Sequence, residues 1–199
     1  MRDLIIVGAG ASGQELYAWA SPYFDSMKFN FKGYIDDINS HAFSTIVDYN
    51  PEPNDVFICS IGSPLARVTC SEYLTKKGAE FINLIHPSAI VLSSLKGQGI
   101  VVAPFVYISN DVEINDYVFI NAAATVGHNV VIGKGSTLCA QVDLTGYVVV
   151  GEKVFIGSHA CVIPKVNVGD AAIVGAGSAV MRNVPANATV IGVPAKRFI

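Results

Sequence analysis

The stretch VFINAAATVGHNVVIGKGSTLCAQVDLTGYVVV, residues 118–150, carries an aliphatic residue at every sixth position. The same spacing continues in both directions, from Val102 to Val180, and gives 14 positions without an exception. These positions are Val102, Ile108, Ile114, Ile120, Val126, Ile132, Leu138, Leu144, Val150, Ile156, Val162, Val168, Val174 and Val180. A six-residue repeat with one aliphatic position is typical of a parallel β-helix.

The hexads predict a triangular solenoid in which each hexad supplies one short strand and one corner. Three hexads complete a coil, so the 14 hexads predict between four and five coils. Glycine often follows the aliphatic residue, as at Gly127 and Gly133, and we expect it there because glycine tolerates the positive φ of a corner. The register ends after Val180, so residues 181–199 are predicted to form an irregular cap on the open end.

Residues 1–85 have a different pattern, in which strand and helix signals alternate. This alternation predicts a small α/β domain with a parallel sheet at residues 1–85, followed by the β-helix with its cap at residues 86–199. Ligands on such sheets bind at the carboxyl ends of the strands. The predicted strands lie at 4–7, 32–35, 55–60 and 81–85, and the predicted helices at 12–23 and 64–77.

The composition excludes several classes of protein. Charged residues make up 15% of the 199 residues and the net charge is −3, which argues against disorder and against a nucleic-acid binder. No apolar run approaches the ~20 residues of a membrane span. The four cysteines lie far apart and the first residues do not resemble a signal peptide. We therefore expect buried thiols, no metal site and a cytoplasmic protein.

His128 is the strongest catalytic candidate, because it holds the third, outward-facing position of its hexad. One coil later the same position is Gly146, which leaves room beside the imidazole and offers a free backbone N–H to a bound carbonyl. Acyl transfer from a thioester needs such a base and such a donor. His159, fourth in its hexad, stays a candidate for lining the ligand. Structural or solvated roles are expected for His41, His86 and Cys139.

A glycine-rich loop, residues 8–13, follows the first predicted strand, and Asp36 ends the second. Asp36 lies about 23 residues beyond Gly13, a spacing that matches the fingerprint of dinucleotide-binding proteins. A nucleoside diphosphate can use the same elements, with glycine N–H groups for the phosphates and an acidic strand end for the base or ribose. The short sheet has room for one mononucleotide half, so we favour the diphosphate over NAD.

Motifs along the whole chain resemble those of the sialic-acid and nucleotide-sugar acetyltransferase family. They are IIVGAGASGQE at 5–15, GYIDD at 33–37, SIGS at 60–63, LIHPSA at 84–89 and VIGVPAKRF at 190–198. The resemblance implies a Rossmann-like domain at residues 1–85 and a left-handed β-helix at residues 86–199. It also implies a homotrimer with active sites between neighbouring subunits, a nucleotide-linked sugar on the first domain, and acetyl-CoA in the groove of the β-helix.

The resemblance further implies roles for individual residues. His128 corresponds to the catalytic base, and Gly146 to the glycine whose N–H contacts the thioester carbonyl. Contacts with the sugar nucleotide are implied for Gly10, Ser12, Gly13, Gln14, Asp36, Asp37, Gly62 and Asn121. Contacts with acetyl-CoA are implied for Gly146, Ser158, Gly175 and Lys196.

Two positions depart from the family pattern. The residue after the base is often Glu or Asp, but here it is Asn129, which can fix the tautomer of the imidazole without stabilising its cation by charge. Gln14 stands where a histidine is common. We predict an N-acetyltransferase that uses acetyl-CoA and acts by direct attack of the amino group of a nucleotide-linked amino-deoxy sugar. A sugar O-acetyltransferase, acting on a sialic acid or polysaccharide hydroxyl, and a non-catalytic nucleotide-sugar-binding partner remain alternatives.

Overall fold

The computed structural model describes residues 1–198, which form two compact units, Met1–Leu84 and a second unit that begins at Ile85. Three parallel strands of the first unit, β1 (Arg2–Val7), β2 (Phe29–Ile35) and β3 (Asp55–Cys59), form a sheet in the order β2-β1-β3. The helices are α1 (Ala11–Ala20), α2 (Phe24–Met27) and α3 (Pro64–Lys76), with a 3-10 turn at Ser21–Tyr23. Within residues 1–198, no helix has the length and apolar character needed to cross a membrane.

The central strand β1 explains why this unit folds as a parallel sheet. Its apolar run from Leu4 to Val7 has no exposed surface, as expected for a strand covered on both faces. The predicted fourth strand at 81–85 is wrong, because only Phe81 joins the sheet, through a single parallel bridge to Phe57. The chain then leaves the sheet, and the strand Leu84–Ile85, at the boundary of the two units, begins the β-helix instead.

The second unit is a parallel β-helix with three flat faces made of short strands. Face 1 contains Leu84–Ile85, Val101–Val102, Phe119–Ile120, Thr137–Leu138, Phe155–Ile156, Ile173–Val174, Thr189–Ile191 and Lys196–Arg197. Face 2 contains Ile90–Val91, Tyr107–Ile108, Thr125–Val126, Asp143–Leu144, Cys161–Val162 and Ala179–Val180. Face 3 contains Glu113–Ile114, Val131–Ile132, Val149–Val150 and Asn167–Val168.

The aliphatic column found in the sequence forms the core of this solenoid. Each of the 14 predicted residues is the second residue of a strand, and none of them is more than 1% exposed. Strands pair in parallel with the strand three hexads later, so that Val126 pairs with Leu144 and Leu144 with Val162. The prediction of a parallel β-helix is therefore confirmed.

Both ends of the solenoid differ from the sequence-based prediction. Before the repeat, Ile90 already pairs with Tyr107, one position short of three hexads. After the repeat the coil continues, because Ile173 pairs with Thr189, two positions short of three hexads. A search for an aliphatic residue at every sixth position does not find these irregular coils. The solenoid therefore has about six coils rather than the predicted four to five. It ends in an antiparallel strand, in which Ile191 pairs with Lys196.

The glycines that follow the aliphatic positions have a different role from the one predicted. A Cβ on Gly127 would lie 2.9 Å from the Gly146 nitrogen, and one on Gly133 would lie 2.4 Å from the Gly151 carbonyl carbon. These glycines are thus required by the close approach of the next coil. The positive φ angles fall two residues later in the hexad, where non-glycine residues such as Asn129 (φ +58°) accept them.

Two glycine substitutions should separate close approach from backbone conformation. We expect Gly133→Ala to lower the free energy of unfolding by about 1–3 kcal/mol, because its Cβ meets rigid backbone. Gly177 has a φ of +66° and no atom within 4 Å of the place that a Cβ would take, so Gly177→Asn should cost about 1 kcal/mol or less. Urea denaturation followed by circular dichroism measures both values. An equal loss in the two variants would contradict this assignment.

Candidate functional site

His128 and Gly146 lie side by side on the corner between faces 2 and 3, as the three-hexad period predicts. We call this the His128 corner; its outermost positions are residues 110, 128, 146, 164 and 182. The imidazole is exposed, and a Cβ on Gly146 would lie only 2.7 Å from its Nε2 atom. Only glycine at residue 146 therefore leaves His128 in this position.

Asn129 and Tyr147 hold the imidazole in place. The Oδ1 atom of Asn129 lies 3.0 Å from Nδ1 of His128 and can only accept a hydrogen bond. This contact favours the tautomer that carries its proton on Nδ1, in which the lone pair of Nε2 lies on the side of Gly146. The Tyr147 ring packs edge-on against the imidazole, with 5.0 Å between the ring centres and planes at 89°.

The Gly146 peptide offers the donor that the sequence predicts beside this base. Its carbonyl accepts a hydrogen bond from the Lys165 N–H (3.1 Å), but its own N–H donates to no acceptor among residues 1–198. A backbone N–H next to an imidazole can bind the carbonyl oxygen of a thioester and stabilise the oxyanion that forms from it.

The His128 corner continues toward the end of the chain through Pro164 and Arg182. Arg182 lines a cavity of about 330 Å³ together with Met181, Pro194, Ala195 and Lys196. Two cationic side chains, Arg182 of this corner and Lys196 of the last strand of face 1, thus line one cavity at this end of the solenoid. Lys196 is among the residues predicted from the sequence, whereas Arg182 is not, although counting two further coils from Gly146 leads to it.

Three other predicted site residues lie on a different corner. Asn121, Ser158 and Gly175 occupy the corner between faces 1 and 2, so a single chain does not bring them together with His128. The Oδ1 atom of Asn121 accepts a hydrogen bond from the Ala122 N–H (2.7 Å). A Cβ on Gly175 would meet the side chain of Ile191, at 2.8 Å, so packing against the last coil accounts for this glycine.

The remaining histidines and cysteines show no catalytic arrangement within residues 1–198. His86 is buried, its Nδ1 accepts from the Ser88 N–H (3.1 Å), and burial lowers its pKa. His41 and His159 are not buried, and Cys139 is half-buried. Burial raises the pKa of Cys59 to about 11, which keeps this thiol protonated. No group of three His, Cys, Asp or Glu side chains in the described chain could hold a metal ion.

The first unit has its own cavity of about 250 Å³ at the carboxyl ends of β1, β2 and β3. Its lining matches most of the predicted nucleotide site: Gly8, Gly10, Ala11, Ser12, Gly13, Asp36, Ser60, Ile61 and Gly62. The glycines of this loop serve different purposes. Gly8 has a φ of +101°, and a Cβ on Gly13 would lie 2.0 Å from the Gly8 carbonyl oxygen. Gly10 meets nothing within 4 Å, so chain packing does not explain it.

Gly10 is the N-cap of α1, and no side chain caps this helix end. The first N–H groups of a helix have no partner within the helix and attract anions. Because a side chain at Gly10 would point into open space, glycine keeps this helix end accessible from the cavity. These features suit a phosphate group.

The two aspartates at the end of β2, Asp36 and Asp37, line different cavities. The Asp36 carboxylate accepts from the N–H groups of Ala9 (2.8 Å), Ile38 (2.8 Å) and Asn39 (2.9 Å). Partial burial alone would raise the pKa of Asp36, but these hydrogen bonds outweigh burial and hold it below its usual value. Asp36 thus fixes the glycine loop as well as lining the cavity.

Asp37 and Gln14 do not line this cavity. Asp37 accepts from the Ile46 N–H (2.8 Å) and lines a neighbouring cavity of about 190 Å³ with Cys70 and Tyr73. The Gln14 amide donates to the Ala9 carbonyl (3.1 Å), so it braces the glycine loop from outside. Their predicted contacts with a sugar nucleotide remain predictions.

Comparison with known proteins identifies relatives of the chain. A GDP-perosamine N-acetyltransferase from Escherichia coli O157:H7 is 33% identical over 149 residues, which are 71% of this chain and 67% of that protein. A serine acetyltransferase from Buchnera aphidicola is 35% identical over 130 residues, but the match spans only 42% of its length. No protein-family model matches the chain.

Solved structures resemble the chain over its full length. The acetyltransferase domain of PglB from Neisseria gonorrhoeae has a TM-score of 0.89 at 25% identity and matches over 100% of both chains. PerB from Caulobacter crescentus, solved with CoA and GDP-perosamine, has a TM-score of 0.89 at 29% identity and matches over 99% of this chain and 97% of its own. The chain therefore belongs to the hexapeptide-repeat sugar acetyltransferases, the family that includes GDP-perosamine N-acetyltransferase.

Proposed function

We propose that this protein transfers the acetyl group of acetyl-CoA to the amino group of a nucleotide-linked amino-deoxy sugar. One observation carries the proposal: the Nε2 side of the His128 imidazole lies against Gly146, whose N–H donates to no acceptor among residues 1–198. The relative named a GDP-perosamine N-acetyltransferase and the PerB structure with CoA and GDP-perosamine support this class of reaction.

The reaction is a direct attack. The amine nitrogen of the sugar bonds to the thioester carbonyl carbon, and Nε2 of His128 takes a proton from that nitrogen. The Gly146 N–H stabilises the oxyanion of the tetrahedral intermediate. Collapse of the intermediate breaks the carbon–sulfur bond, and the imidazolium returns its proton to the departing thiolate, which leaves as CoA.

Acetyl-CoA would extend from Gly146 along the His128 corner toward Arg182 and Lys196. Successive coils lie ~4.8 Å apart, so Arg182 is roughly 10 Å beyond Gly146. There the two cations would bind the phosphates of CoA. We also propose a homotrimer, in which a neighbouring copy brings Asn121, Ser158 and Gly175 to this corner.

The first unit would hold the nucleotide as a Rossmann-like domain. The diphosphate would bind the open start of α1 at Gly10 and Ser12, and Gly62 faces Ser12 across the cavity, with 3.8 Å between a Cβ on Gly62 and the Ser12 hydroxyl oxygen. Asp36 would accept from the ribose or base with its remaining lone pairs. A hydroxyl acceptor is less suited to this site, because Asn129 adds no charge to help the base deprotonate a poor nucleophile.

Replacing the base tests the mechanism directly. We expect His128→Ala to lower kcat about 10²- to 10⁴-fold at neutral pH, because the amine then loses its proton acceptor. Release of free CoA thiol, with a nucleotide-linked amino sugar as acceptor, measures the rate. Lys153→Ala, on the corner between faces 3 and 1, is the control and should keep full activity. Undiminished turnover by His128→Ala would refute the mechanism, and activity toward hydroxyl acceptors alone would favour O-acetylation.

Replacing Gly10 tests the nucleotide site. We expect Gly10→Ala to weaken binding of the preferred nucleoside diphosphate at least about tenfold, because its methyl group occupies the space in front of α1. The melting temperature should stay the same, since the methyl group meets no protein atom within 4 Å. Gly13→Ala, by contrast, should destabilise the unit. Calorimetry with GDP, UDP, CDP and NAD measures affinity; preferential binding of NAD would contradict the proposal.

Restoring a carboxylate beside the base tests the role of Asn129. Asn129→Asp keeps the geometry and a side chain that tolerates the φ of +58°. The added negative charge stabilises the imidazolium, so we expect the acidic limb of the kcat/KM–pH profile to move up by about one pH unit. Asn129→Ala should lower kcat without such a shift. Identical pH profiles for Asn129→Asp and the unaltered protein would show that residue 129 does not contact the base during catalysis.

A further inference from the structure

We propose that a polar cavity on the N-terminal side of His128 binds the hydroxyl-bearing ring of the acceptor sugar, an inference that rests on the proposed function. The cavity has a volume of about 360 Å³, within the range of ~300–1,000 Å³ that is usual for small-molecule sites. Its lining is Leu92, Ser93, Ser94, Lys96, Asn110, Asp111, Val112 and Glu113. We call it the first-coil cavity.

The first-coil cavity lies on the His128 corner, one coil before the base. Asn110 precedes His128 by three hexads and occupies the equivalent outward position. The Asn110 carbonyl accepts a hydrogen bond from the N–H of Asn129 (3.2 Å), the residue that orients the imidazole. With ~4.8 Å between coils, a sugar in this cavity reaches His128 without crossing another corner.

A shortened corner creates the cavity. Val91 pairs with Ile108, one position short of three hexads, whereas the Gly97 N–H donates to the Ile114 carbonyl, which places the chain back in the regular register. The segment between Val91 and Gly97 is therefore one residue shorter than the equivalent segment of the next coil. The Ser93 hydroxyl closes the gap, since it donates to the Ser109 carbonyl (2.7 Å) and accepts from the Val112 N–H (2.9 Å). These bonds give the cavity a fixed wall.

Two charged groups of the cavity are available to a ligand. The side chains of Glu113 and Lys96 form no hydrogen bond or ion pair among residues 1–198, although both are charged. Asp111 accepts from the Asn110 amide (2.7 Å) and is otherwise exposed. Carboxylate oxygens accept hydrogen bonds from sugar hydroxyls, and amide and ammonium groups donate to ring or hydroxyl oxygens.

The charge of the cavity narrows the class of sugar. Two carboxylates, of Asp111 and Glu113, face one ammonium group, of Lys96, so the lining has a net charge of −1. A sugar that carries a carboxylate is disfavoured in such a cavity, whereas a ring that carries only hydroxyl groups and a neutral amine is not repelled. The charge of the lining therefore favours an amino sugar with a neutral ring over a carboxylated sugar.

The two substrates would then approach the base from opposite ends of one corner. The sugar occupies the first-coil cavity before His128, and the acetyl-CoA arm runs from Gly146 toward Arg182 beyond it. Variants on the two sides should consequently change different Michaelis constants.

Steady-state kinetics with both substrates varied tests this inference. We expect Glu113→Gln to raise the KM for the nucleotide-linked amino sugar about tenfold, and Ser94→Trp, which fills the cavity, to raise it further. The KM for acetyl-CoA should stay within about twofold in both variants. Arg182→Ala should show the reverse pattern. Glu152→Gln removes a carboxylate on the corner between faces 3 and 1 and serves as the matched control.

The outcomes separate this inference from the proposed function. If the unaltered protein acetylates amino sugars but neither Glu113→Gln nor Ser94→Trp changes the KM for the sugar, the first-coil cavity is not the acceptor site. A carboxylated sugar nucleotide that is acetylated as efficiently as a neutral-ring one would also overturn the inference. If the unaltered protein acetylates no nucleotide-linked amino sugar, the proposed function fails, and the inference fails with it.

Discussion

Backbone pairing between residues three hexads apart is the constraint on which the rest of the second unit depends. The N–H of Thr125 donates to the Val142 carbonyl (2.8 Å) and that of Gly127 to the Leu144 carbonyl (2.7 Å), and the same bonds recur coil after coil. A slip of one residue would turn every inward side chain outward, so the aliphatic column and the outward polar positions are fixed together. The contact between His128 and Gly146 follows from the same register that builds the core.

The middle of this fold could be predicted from the sequence because its period is strict, and its ends could not because their coils are shorter. A coil that is one or two residues shorter than 18 no longer places its aliphatic residues at every sixth position. Val184 and Val190 are examples, because both pair within the solenoid but lie outside the repeat. The sequence locates the glycines that follow the aliphatic positions, but the reason for them is close approach of the next coil and not the positive φ that the sequence suggests. Steric clearance between coils is a property of three-dimensional neighbours, which a single sequence position does not reveal.

In the candidate site, too, some contacts follow from the six-residue repeat, whereas others depend on tertiary packing. The contacts among His128, Asn129 and Gly146 follow from counting residues along the repeat, and so does the position of Arg182 two coils further along the same corner. The sequence indicates that Asp36 follows a strand. It does not predict the three hydrogen bonds from backbone N–H groups to the Asp36 carboxylate, because these form only when residues 38–39 and the glycine loop fold around it. The first-coil cavity was not predictable, since it arises from a single missing position that a serine hydroxyl replaces.

The outward positions 110, 128, 146, 164 and 182 are also separated by whole numbers of coils. Because each coil adds ~4.8 Å, the separation between the base and the cations of the last coils can change only in steps of one coil. Adding or removing three hexads between His128 and Arg182 would change the distance between them by one coil while leaving each local contact intact. Evolution could thus fit a β-helix of this kind to a longer or shorter acyl carrier by counting coils, with no redesign of the chemistry at His128.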